Sequence, residues 1–506
     1  MTKKTLFLNG WYFTKQPLGS TLEDIKERKE AFRAVNLPHD WLIYQGKELY
    51  EDSTGWYRKV FSCEKKQDYR YEIYFEGVYM DTTVYLNGQV LGEWKYGYSS
   101  FFFDMTPLLQ EGDNELLVRV NYQAPNSRWY SGAGIYRNVY LRKQPKFHFI
   151  TDSLYITPVK KSEDMWQVEV SAELSQESLN QKNSILMVQI LDREGTEVSK
   201  AELPFEKAVN QADGIVTAQI MIQVSNPELW NLEEPYLYHC RLVLKDENKV
   251  LDETKERFGF RIFTFDTDKG FFLNGVHVKL NGVCEHHDFG ALGAVFNKEA
   301  MRRKLEILRK MGVNSIRSTH NMPAIGLLEL ADEMGFLIID EAFDMWERPK
   351  TTYDYARFFP QRYRKDVRSW VRRDRNHPCI LFWSIGNEIY DTHADARGQE
   401  LTRSLMEETR KHDPAYHAQI TIGSNYMPWE NAQKCADIVK YAGYNYGEKY
   451  YDQHHREHPD WFMYGSETAS TVQSRGVYHF PYKQSVLADE DELCSALGIS
   501  TTCWGA

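Results

Sequence analysis

Cysteine is scarce in this sequence, and the few cysteines form no recognisable pattern. The chain of 506 residues has 7 cysteines, an odd number, at wide spacings and without a C-x-x-C pair. A disulfide framework or a cysteine-based zinc site is therefore not expected. Several of the cysteines lie within apolar runs, which is typical of small buried side chains. Together these features predict a protein of the reducing cytoplasm.

Long apolar runs and an excess of positive charge are also missing. No stretch approaches the length of a membrane span, and the apolar start of the chain is interrupted at Asn9-Gly10. The net charge is −11, which argues against a nucleic-acid partner, because such partners require clustered Lys and Arg. We therefore expect no membrane or nucleic-acid partner and no signal peptide, and the sequence leaves a homo-oligomer open.

Aromatic residues, in contrast, are abundant at 14%, with 13 Trp and 32 Tyr. Most are expected to fill cores, and some can offer flat faces for stacking on sugar rings or bases. Up to about residue 267 they lie in short alternating runs such as YEIYFEGVYMDTTVYLNG. The pair Asn87-Gly88 between two such runs predicts a β-hairpin. This half of the chain is therefore predicted to be all-β, with a boundary near 145 between two sandwiches.

From Gly270 onwards apolar strands alternate with amphipathic helices, which predicts parallel βα units. Helix NKEAMRRKLEILRKMG has an N-cap candidate in Asn297 and ends at Gly312. Seven strands are predicted, at Val278, Val313, Phe336, Ile380, Gln419, Ile438 and Phe462. We thus predict a jelly-roll sandwich (1–145), an immunoglobulin-like sandwich (146–266) and a TIM barrel (267–506) that lacks its last strand, unless LGISTTCW forms an irregular one.

Barrel enzymes carry their chemistry at the carboxyl ends of the strands, and polar residues stand at most of these ends here. In chain order they are Glu285, His286, His287, Asp288, Arg317, His320, Asp340, Glu341, Asp344, Asn387, Glu388, Tyr444, Asn445, Tyr446, Ser466 and Glu467.

Many of these residues also fit structural roles. Asp340 and Glu341 can pair with arginines, His287 can cap a loop and Arg317 can form an ordinary ion pair, while Tyr444 and Tyr446 can be core aromatics. A metal site is another alternative. Its candidate ligands are His286, His287, Asp288, His320, Asp340 and Glu341, but their spacing matches no tight metal motif.

Glu388 and Glu467 are harder to explain structurally. Each ends a strongly apolar strand, where an unpaired buried charge is costly. If the two strands face each other across the barrel mouth, the two carboxyl groups form the pair that hydrolyses glycosidic bonds. One attacks the anomeric carbon and the other protonates the departing oxygen.

The segments FWSIGNE, YGSETAS and VNSIRSTHNMPA, together with LPHDW and RWYSGAGIYRNVYL in the first half, resemble glycoside hydrolase family 2. This family includes β-galactosidases, β-glucuronidases and β-mannosidases, and the GSETAS context is most similar to bacterial β-galactosidases. The resemblance implies a retaining exo-β-glycosidase that acts on a β-galactoside, with Glu388 as acid/base and Glu467 as nucleophile. The other two activities and an inactive carbohydrate-binding fragment are the alternatives.

The resemblance also implies roles for neighbouring side chains. Asn387 would bind the 2-hydroxyl of the sugar, and Arg317 would keep the nucleophile ionised. Tyr446, or Tyr444 as the alternative, would donate a hydrogen bond to the nucleophile. His286 and His320 would line the sugar subsite, and the DEA segment at Asp340 would be structural. No cofactor is expected. Magnesium, which some galactosidases of the family bind, is doubtful because DEAFDMWERP lacks the matching histidine.

Overall fold

The structure is a computed structural model that describes residues 1–26, 31–45, 51–181, 183–247 and 249–468. Its first part is a β-sandwich of two antiparallel sheets, in the orders β3-β2-β4-β9-β6-β7 and β1-β10-β5-β8. The strands are β1 (Lys3–Leu6), β2 (Trp11–Pro17), β3 (Arg33–Val35), β4 (Ser53–Cys63), β5 (Tyr69–Phe75), β6 (Thr82–Leu86), β7 (Gln89–Trp94), β8 (Phe101–Asp104), β9 (Gly112–Tyr122) and β10 (Val139–Pro145), with helix α1 at Leu22–Lys26.

The predicted hairpin at Asn87-Gly88 is confirmed, because these two residues join β6 to β7. Both have positive φ angles, +51° and +78°, as a two-residue hairpin turn between right-twisted strands requires.

The second part is another sandwich, with sheets in the orders β11-β12-β16-β15 and β14-β13-β17-β18. Its core is formed by residues that alternate along the strands, as in β12, where every second side chain is buried. The elements are β11 (Tyr155–Lys160), β12 (Met165–Leu174), β13 (Ile185–Leu191), β14 (Glu197–Pro204), α2 (Phe205–Ala208), β15 (Val209–Ala212), β16 (Ile215–Ser225), β17 (Tyr238–Asp246) and β18 (Lys249–Phe258).

A small antiparallel sheet leads into the barrel, and it corrects the prediction for the first barrel strand. It consists of β19 (Phe263–Asp266), β20 (Gly270–Leu273) and β21 (Val276–His277). Asn274-Gly275, with φ angles of +54° and +82°, turns β20 into β21. The predicted start of the first barrel strand at Val278 is therefore wrong. The residues before Val278 pair in this hairpin, and the barrel strand begins at Gly282.

The last part is a curled, fully parallel sheet of seven strands in sequential order, with helices between them. The strands are β22 (Gly282–Glu285), β23 (Ser315–Ser318), β24 (Leu337–Glu341), β25 (Ile380–Asn387), β26 (Gln419–Ser424), β27 (Tyr441–Asn445) and β28 (Phe462–Glu467). The helices are α3 (Lys298–Lys310), α4 (Ile325–Met334), α5 (Phe359–Asp374), α6 (Tyr390–Ala394), α7 (Ala396–His412), α8 (Glu430–Val439) and α9 (Tyr451–Glu457).

The predicted fold class, two β-sandwiches followed by a parallel barrel sheet of seven strands, is confirmed. Asn297 caps α3 by accepting a hydrogen bond from Ala300 N at 2.9 Å, as expected. Two details differ. Ile438 belongs to α8 rather than to a strand, and Met311 lies exposed beyond the end of α3. LGISTTCW lies outside the described residues, and the domain boundaries near 145 and 266 remain predictions.

The first sandwich is docked on the barrel by buried polar contacts. Arg137, only 1% exposed, donates to the carbonyl oxygens of Met322 at 2.8 Å and Pro323 at 3.1 Å. Ser99 Oγ donates to Asp366 Oδ1 at 2.7 Å. The Arg137 contacts hold the connection between β9 and β10 against the barrel, and the Ser99 contact holds the connection between β7 and β8. In the described part of the chain, no helix is long and apolar enough to span a membrane.

Candidate active site

The carboxyl ends of the seven parallel strands meet around a cavity of about 2330 Å³. Because the strands are parallel, the last residues of each one point toward the same edge of the sheet. The cavity is lined by most of the predicted site residues: His286, Arg317, His320, Glu388, Tyr446 and Glu467. Strands that are far apart in sequence therefore deliver these side chains to one place.

Arg317 is the centre of the site's hydrogen-bond network. Its Nη1 donates to Glu467 Oε1 at 2.7 Å, and its Nε and Nη2 donate to Glu341 Oε2 at 3.0 and 2.8 Å. Arg317 is 3% exposed and Glu341 is fully buried. A buried guanidinium needs such partners, since removing one partner of a buried ion pair costs about 3–5 kcal/mol. Gly423 leaves room for the Arg317 guanidinium, because a Cβ at this position would lie 3.0 Å from Arg317 Nη2.

Glu467 lies in surroundings that favour the carboxylate form. Burial alone raises its pKa, but the Arg317 guanidinium, His320 and hydrogen bonds from Arg317 and Tyr446 bring the pKa below the ordinary glutamate value. His320 Nε2 lies 3.7 Å from Glu467 Oε1. This is the condition that a carboxylate nucleophile needs.

Glu388 lies one residue beyond β25, where the backbone turns with a φ of +45°. Its N–H donates to Gly423 O at 2.8 Å, which fixes the turn against β26. In the side chain, Oε1 accepts from Asn445 Nδ2 at 3.0 Å and Oε2 lies 3.3 Å from Arg128 Nη1. Positive φ is costly for a residue other than glycine, and such strain is concentrated at functional sites.

Asn387 and Asn445 connect the two glutamates. Asn387 Oδ1 accepts from Arg317 Nη2 at 2.8 Å and from Asn445 Nδ2 at 3.0 Å. The hydrogen-bond chain thus runs from Glu388 through the two amides and Arg317 to Glu467. Asn387 is fully buried, and its Nδ2 donates to Asp344 Oδ1 at 2.9 Å. Among the described residues this is the one hydrogen bond that Asn387 Nδ2 donates.

The two predicted sugar-lining histidines are close together at the mouth. Their ring centroids are 5.5 Å apart, and His320 Nδ1 lies 2.8 Å from Glu341 Oε1. Burial, with the neighbouring histidines, lowers the pKa of His286 to about 2, so this imidazole is neutral. His287 turns the other way and lies 3.0 Å, through Nε2, from the carbonyl oxygen of Ser131 in the first sandwich.

Two candidates from the sequence are not at the mouth. Tyr444 is fully buried, and its hydroxyl lies 2.9 Å from His454 Nδ1 under helix α9. The alternative contact of Tyr444 with Glu467 is therefore wrong, and Tyr446, the first choice, is the tyrosine that donates to Glu467. Asp340 points away from the barrel axis and accepts from Trp370 Nε1 at 2.7 Å. Because side chains alternate along a strand, Asp340 and Glu341 cannot both face the barrel interior.

The first sandwich supplies two residues that sequence reasoning missed. Arg128 donates to Asp344 through Nη2 at 3.0 Å and Nε at 3.2 Å, besides its contact with Glu388. The Trp129 ring stacks on His286, with centroids 3.8 Å apart and planes 6° apart, and its Nε1 donates to Asp288 at 2.8 Å. Both lie in RWYSGAG, a segment whose polar and aromatic composition between two strands is the available signal.

Lys350 is the third residue missed. Its side chain is fully buried, and Nζ donates to Asp344 Oδ1 at 2.7 Å and to the carbonyl oxygen of Asn387 at 2.8 Å. Burial would raise the pKa of Asp344, but Lys350, His320 and Arg128 hold it well below its usual range. Two cationic side chains already neutralise this carboxylate, so the segment after DEA does not fit a magnesium ion.

The residues considered for a metal site do not form a ligand cluster in the described part of the chain. The one group there with three ligand atoms close together is Asp332, His377 and Cys379, within 4.8 Å of one another. It lies at the opposite end of the barrel, where Asp332 Oδ1 accepts from the N–H of Cys379 just before β25.

Comparison with known proteins agrees with this geometry. Models of glycosyl hydrolases family 2 match three successive stretches: the sugar binding domain at 25–145, a further domain at 148–261 and the TIM barrel domain at 266–466. The chain belongs to glycoside hydrolase family 2. The strand tips that carry Glu388 and Glu467 lie within or directly beside the stretch matched to the TIM barrel.

The relatives in this family carry different names. Beta-galactosidase BoGH2A of Bacteroides ovatus is 35% identical, over 94% of this chain and 61% of that protein. A beta-glucuronidase of Bacteroides fragilis is 28% identical, over 85% of this chain and 64% of that protein. The crystal structure of a family 2 member from Bacteroides cellulosilyticus superposes with a TM-score of 0.83 at 32% identity, covering 92% of this chain and 61% of that one. The chain thus spans less than two thirds of each.

Proposed function

We propose that this chain is a retaining exo-β-glycosidase that hydrolyses terminal β-D-galactosides. The observation that carries the proposal is the pair of glutamates from β25 and β28, joined by one hydrogen-bond network at the barrel mouth. Glu467 attacks the anomeric carbon while Glu388 gives its proton to the departing oxygen. In the second step Glu388 takes a proton from water, and the water oxygen displaces the Glu467 carboxylate from the sugar.

The neighbouring residues prepare these two steps. Arg317, His320 and Tyr446 favour the ionised form of Glu467, which keeps the nucleophile ready for attack. Asn387, which ends β25 directly before Glu388, is proposed to donate to the 2-hydroxyl, a contact that strengthens in the transition state. Neutral His286, stacked under Trp129, offers a ring nitrogen to a sugar hydroxyl without adding charge. Because the amide of Asn387 and the imidazole of His286 are both uncharged, these contacts suit a neutral sugar.

A β-glucuronide is the second candidate, supported by the relative of that name. A β-glucuronide differs from a β-galactoside in that its sugar carries a carboxylate. Arg128, with a side chain about one third exposed, is the cation in contact with Glu388, and it is already paired with Asp344 and Glu388. A sugar carboxylate would have to compete with these two acids, which favours the galactoside.

The test combines a substrate panel with trapping of the nucleophile. Aryl β-galactosides, β-glucuronides and β-mannosides are compared at equal concentration, and a 2-deoxy-2-fluoro-galactosyl fluoride is used to trap the intermediate. We expect turnover of the galactoside with retention at the anomeric carbon and a fluorosugar ester on Glu467, located by peptide mass spectrometry. An inverted product, or a label on another residue, would contradict the mechanism. Preference for the glucuronide would contradict the substrate alone, and sugar binding without turnover would favour a carbohydrate-binding chain.

A further inference from the structure

A cluster of four aromatic side chains stands beside Glu388 and has no part in the steps described above. It consists of Tyr390 and His393 on α6, and of Tyr426 and Trp429 in the segment between β26 and α8. The His393 and Tyr426 rings are 3.8 Å apart, and Trp429 lies 5.1 Å from His393 and 5.4 Å from Tyr426. We call these four residues the aromatic platform.

The platform begins inside the cavity and ends in solvent. Tyr390 and Tyr426 line the cavity together with Glu388, whereas Trp429 is 54% exposed. The rings therefore do not belong to the barrel core. A large exposed indole that packs against two further rings is a feature of binding surfaces, because aromatic side chains offer much contact area with few rotatable bonds.

The position of the platform identifies which part of a substrate it would meet. Glu388 and Tyr390 lie almost adjacent in the chain, and the N–H of Glu388 donates to Gly423, three residues before Tyr426. The acid that protonates the departing oxygen is thus flanked by the platform. His286, His320 and Glu467 come from strands β22, β23 and β28 on the other side of the mouth. With the cleaved sugar placed among these residues, as in the proposed function, the leaving group lies on the platform side.

We propose that the aromatic platform is the leaving-group subsite, and that it binds an aglycone with a flat apolar face, either an aryl group or a neutral pyranose ring. This inference rests on the proposed function for the identity of Glu388 as the acid. Stacking is the interaction expected between such a ring and the indole or phenol faces.

The charges around the platform favour a neutral ligand. The exposed Glu430 follows Trp429 directly and pairs with Lys434 at 2.6 Å, and Arg348 at the other side pairs with Asp395 at 2.8 Å. Each ionic group thus has a partner of opposite sign. The platform itself is fixed by backbone contacts, since Trp429 N donates to Tyr426 O at 2.9 Å and Asn431 Nδ2 donates to His393 O at 3.4 Å.

The test compares three substrates that share one glycone and differ in the leaving group: the glycosyl fluoride, the 4-nitrophenyl glycoside and a disaccharide. In Trp429→Ala, the kcat/KM should fall about tenfold for the substrates with a ring and less than about twofold for the fluoride. Tyr12→Ala removes an exposed aromatic side chain from the first sandwich, where Tyr12 is 42% exposed, and should change the kcat/KM of none of the three substrates.

The pattern of losses decides the outcome. A loss with the aryl glycoside alone identifies an aryl aglycone, and a loss with the disaccharide alone identifies a sugar; both support the platform. Equal losses with all three substrates, or no loss, would overturn it. If the unmodified chain hydrolyses none of them, the proposed function has failed. The platform is then tested by calorimetric titration of 4-nitrophenol and cellobiose, where equal affinities for the chain and for Trp429→Ala would overturn it.

Discussion

The two glutamates at the mouth lie in surroundings that different parts of the chain provide. Glu467 contacts Arg317, His320 and Tyr446, which all come from the barrel. Glu388 contacts Asn445 from the barrel and Arg128 from the first sandwich. The environment of Glu467 therefore forms within the barrel, whereas the environment of Glu388 requires the first sandwich to be docked on the barrel.

Substitutions in the barrel and in the first sandwich should therefore affect the proposed reaction in different ways. A change within the barrel network alters the charge state of Glu467 directly, because Arg317 is buried and water cannot replace its contacts. A change in the first sandwich reaches Glu388 through a side chain that is about one third exposed, where water screens the loss. The Glu467 side should consequently respond more strongly to substitution than the Arg128 side.

The largest effect is expected for Glu467→Gln. The amide cannot form the covalent bond, so kcat should fall by at least about 10⁴-fold, as it does for other residues that form an intermediate. Steady-state assays with an aryl galactoside measure the loss. Glu333→Gln on helix α4 also removes one partner of an ion pair, at 30% exposure, and should retain activity. If Glu467→Gln kept more than a hundredth of the activity, the nucleophile would lie elsewhere.

Glu388→Ala should follow, with a loss that depends on the leaving group. General acid catalysis contributes about 10²–10⁴-fold, so poor leaving groups should show this loss and good ones much less. Azide, which needs no general base, should restore turnover and give the β-glycosyl azide, since it displaces the Glu467 ester from the opposite face. Activity and product configuration are measured together. A uniform loss across leaving groups without azide rescue would argue against the acid/base role.

Third comes Arg317→Met, which removes the main cation beside Glu467. The nucleophile must be ionised, and Arg317 lowers its pKa, so its loss raises that pKa and moves the acid limb of kcat/KM to higher pH. An arginine in contact typically lowers the pKa of an acid by about 1–3, so the loss of kcat/KM below the limb should reach about 10- to 1,000-fold.

The matched control for this variant is Arg302→Met, which breaks a partly exposed ion pair with Glu333 on the barrel's outer helices. It should leave the pH profile unchanged. An unchanged acid limb in Arg317→Met, measured on protein with the same circular dichroism spectrum as the parent, would show that Arg317 does not set the charge of Glu467.

The barrel side of this comparison was predictable from the sequence, and the sandwich side was not. Glu388, Glu467, Arg317 and Asn387 follow apolar strands in a regular βα rhythm, so topology alone brings them to one edge. Arg128 reaches the site because the first sandwich is docked on the barrel by contacts such as those of Arg137 and Ser99. No periodicity within a strand or helix encodes such a contact between domains.

Strand alternation also has a limit at the strand ends. Tyr444 and Tyr446 are two residues apart, so an unbroken strand would place them on the same face. The strand ends at Asn445, its register against β28 shifts after Tyr444, and Tyr446 has a φ of +55°. This turn sends one hydroxyl to the nucleophile and leaves the other under α9. A sequence pattern cannot specify such a backbone reversal when no glycine marks it.

The smallest effect is expected for Arg128→Met. Its contact with Glu388, at 3.3 Å, is partly exposed, and pairs of this kind contribute about 0.2–1 kcal/mol, so kcat/KM should fall about 1.4- to fivefold. Arg128 is not among the groups that lower the pKa of Glu467, so the acid limb of kcat/KM should stay in place. Arg58→Met breaks a comparable pair with Glu115 inside the first sandwich and should change neither kcat/KM nor the acid limb. A shift of the acid limb in Arg128→Met would mean that the first sandwich also acts on Glu467, and the separation between the two sides of the mouth would be lost.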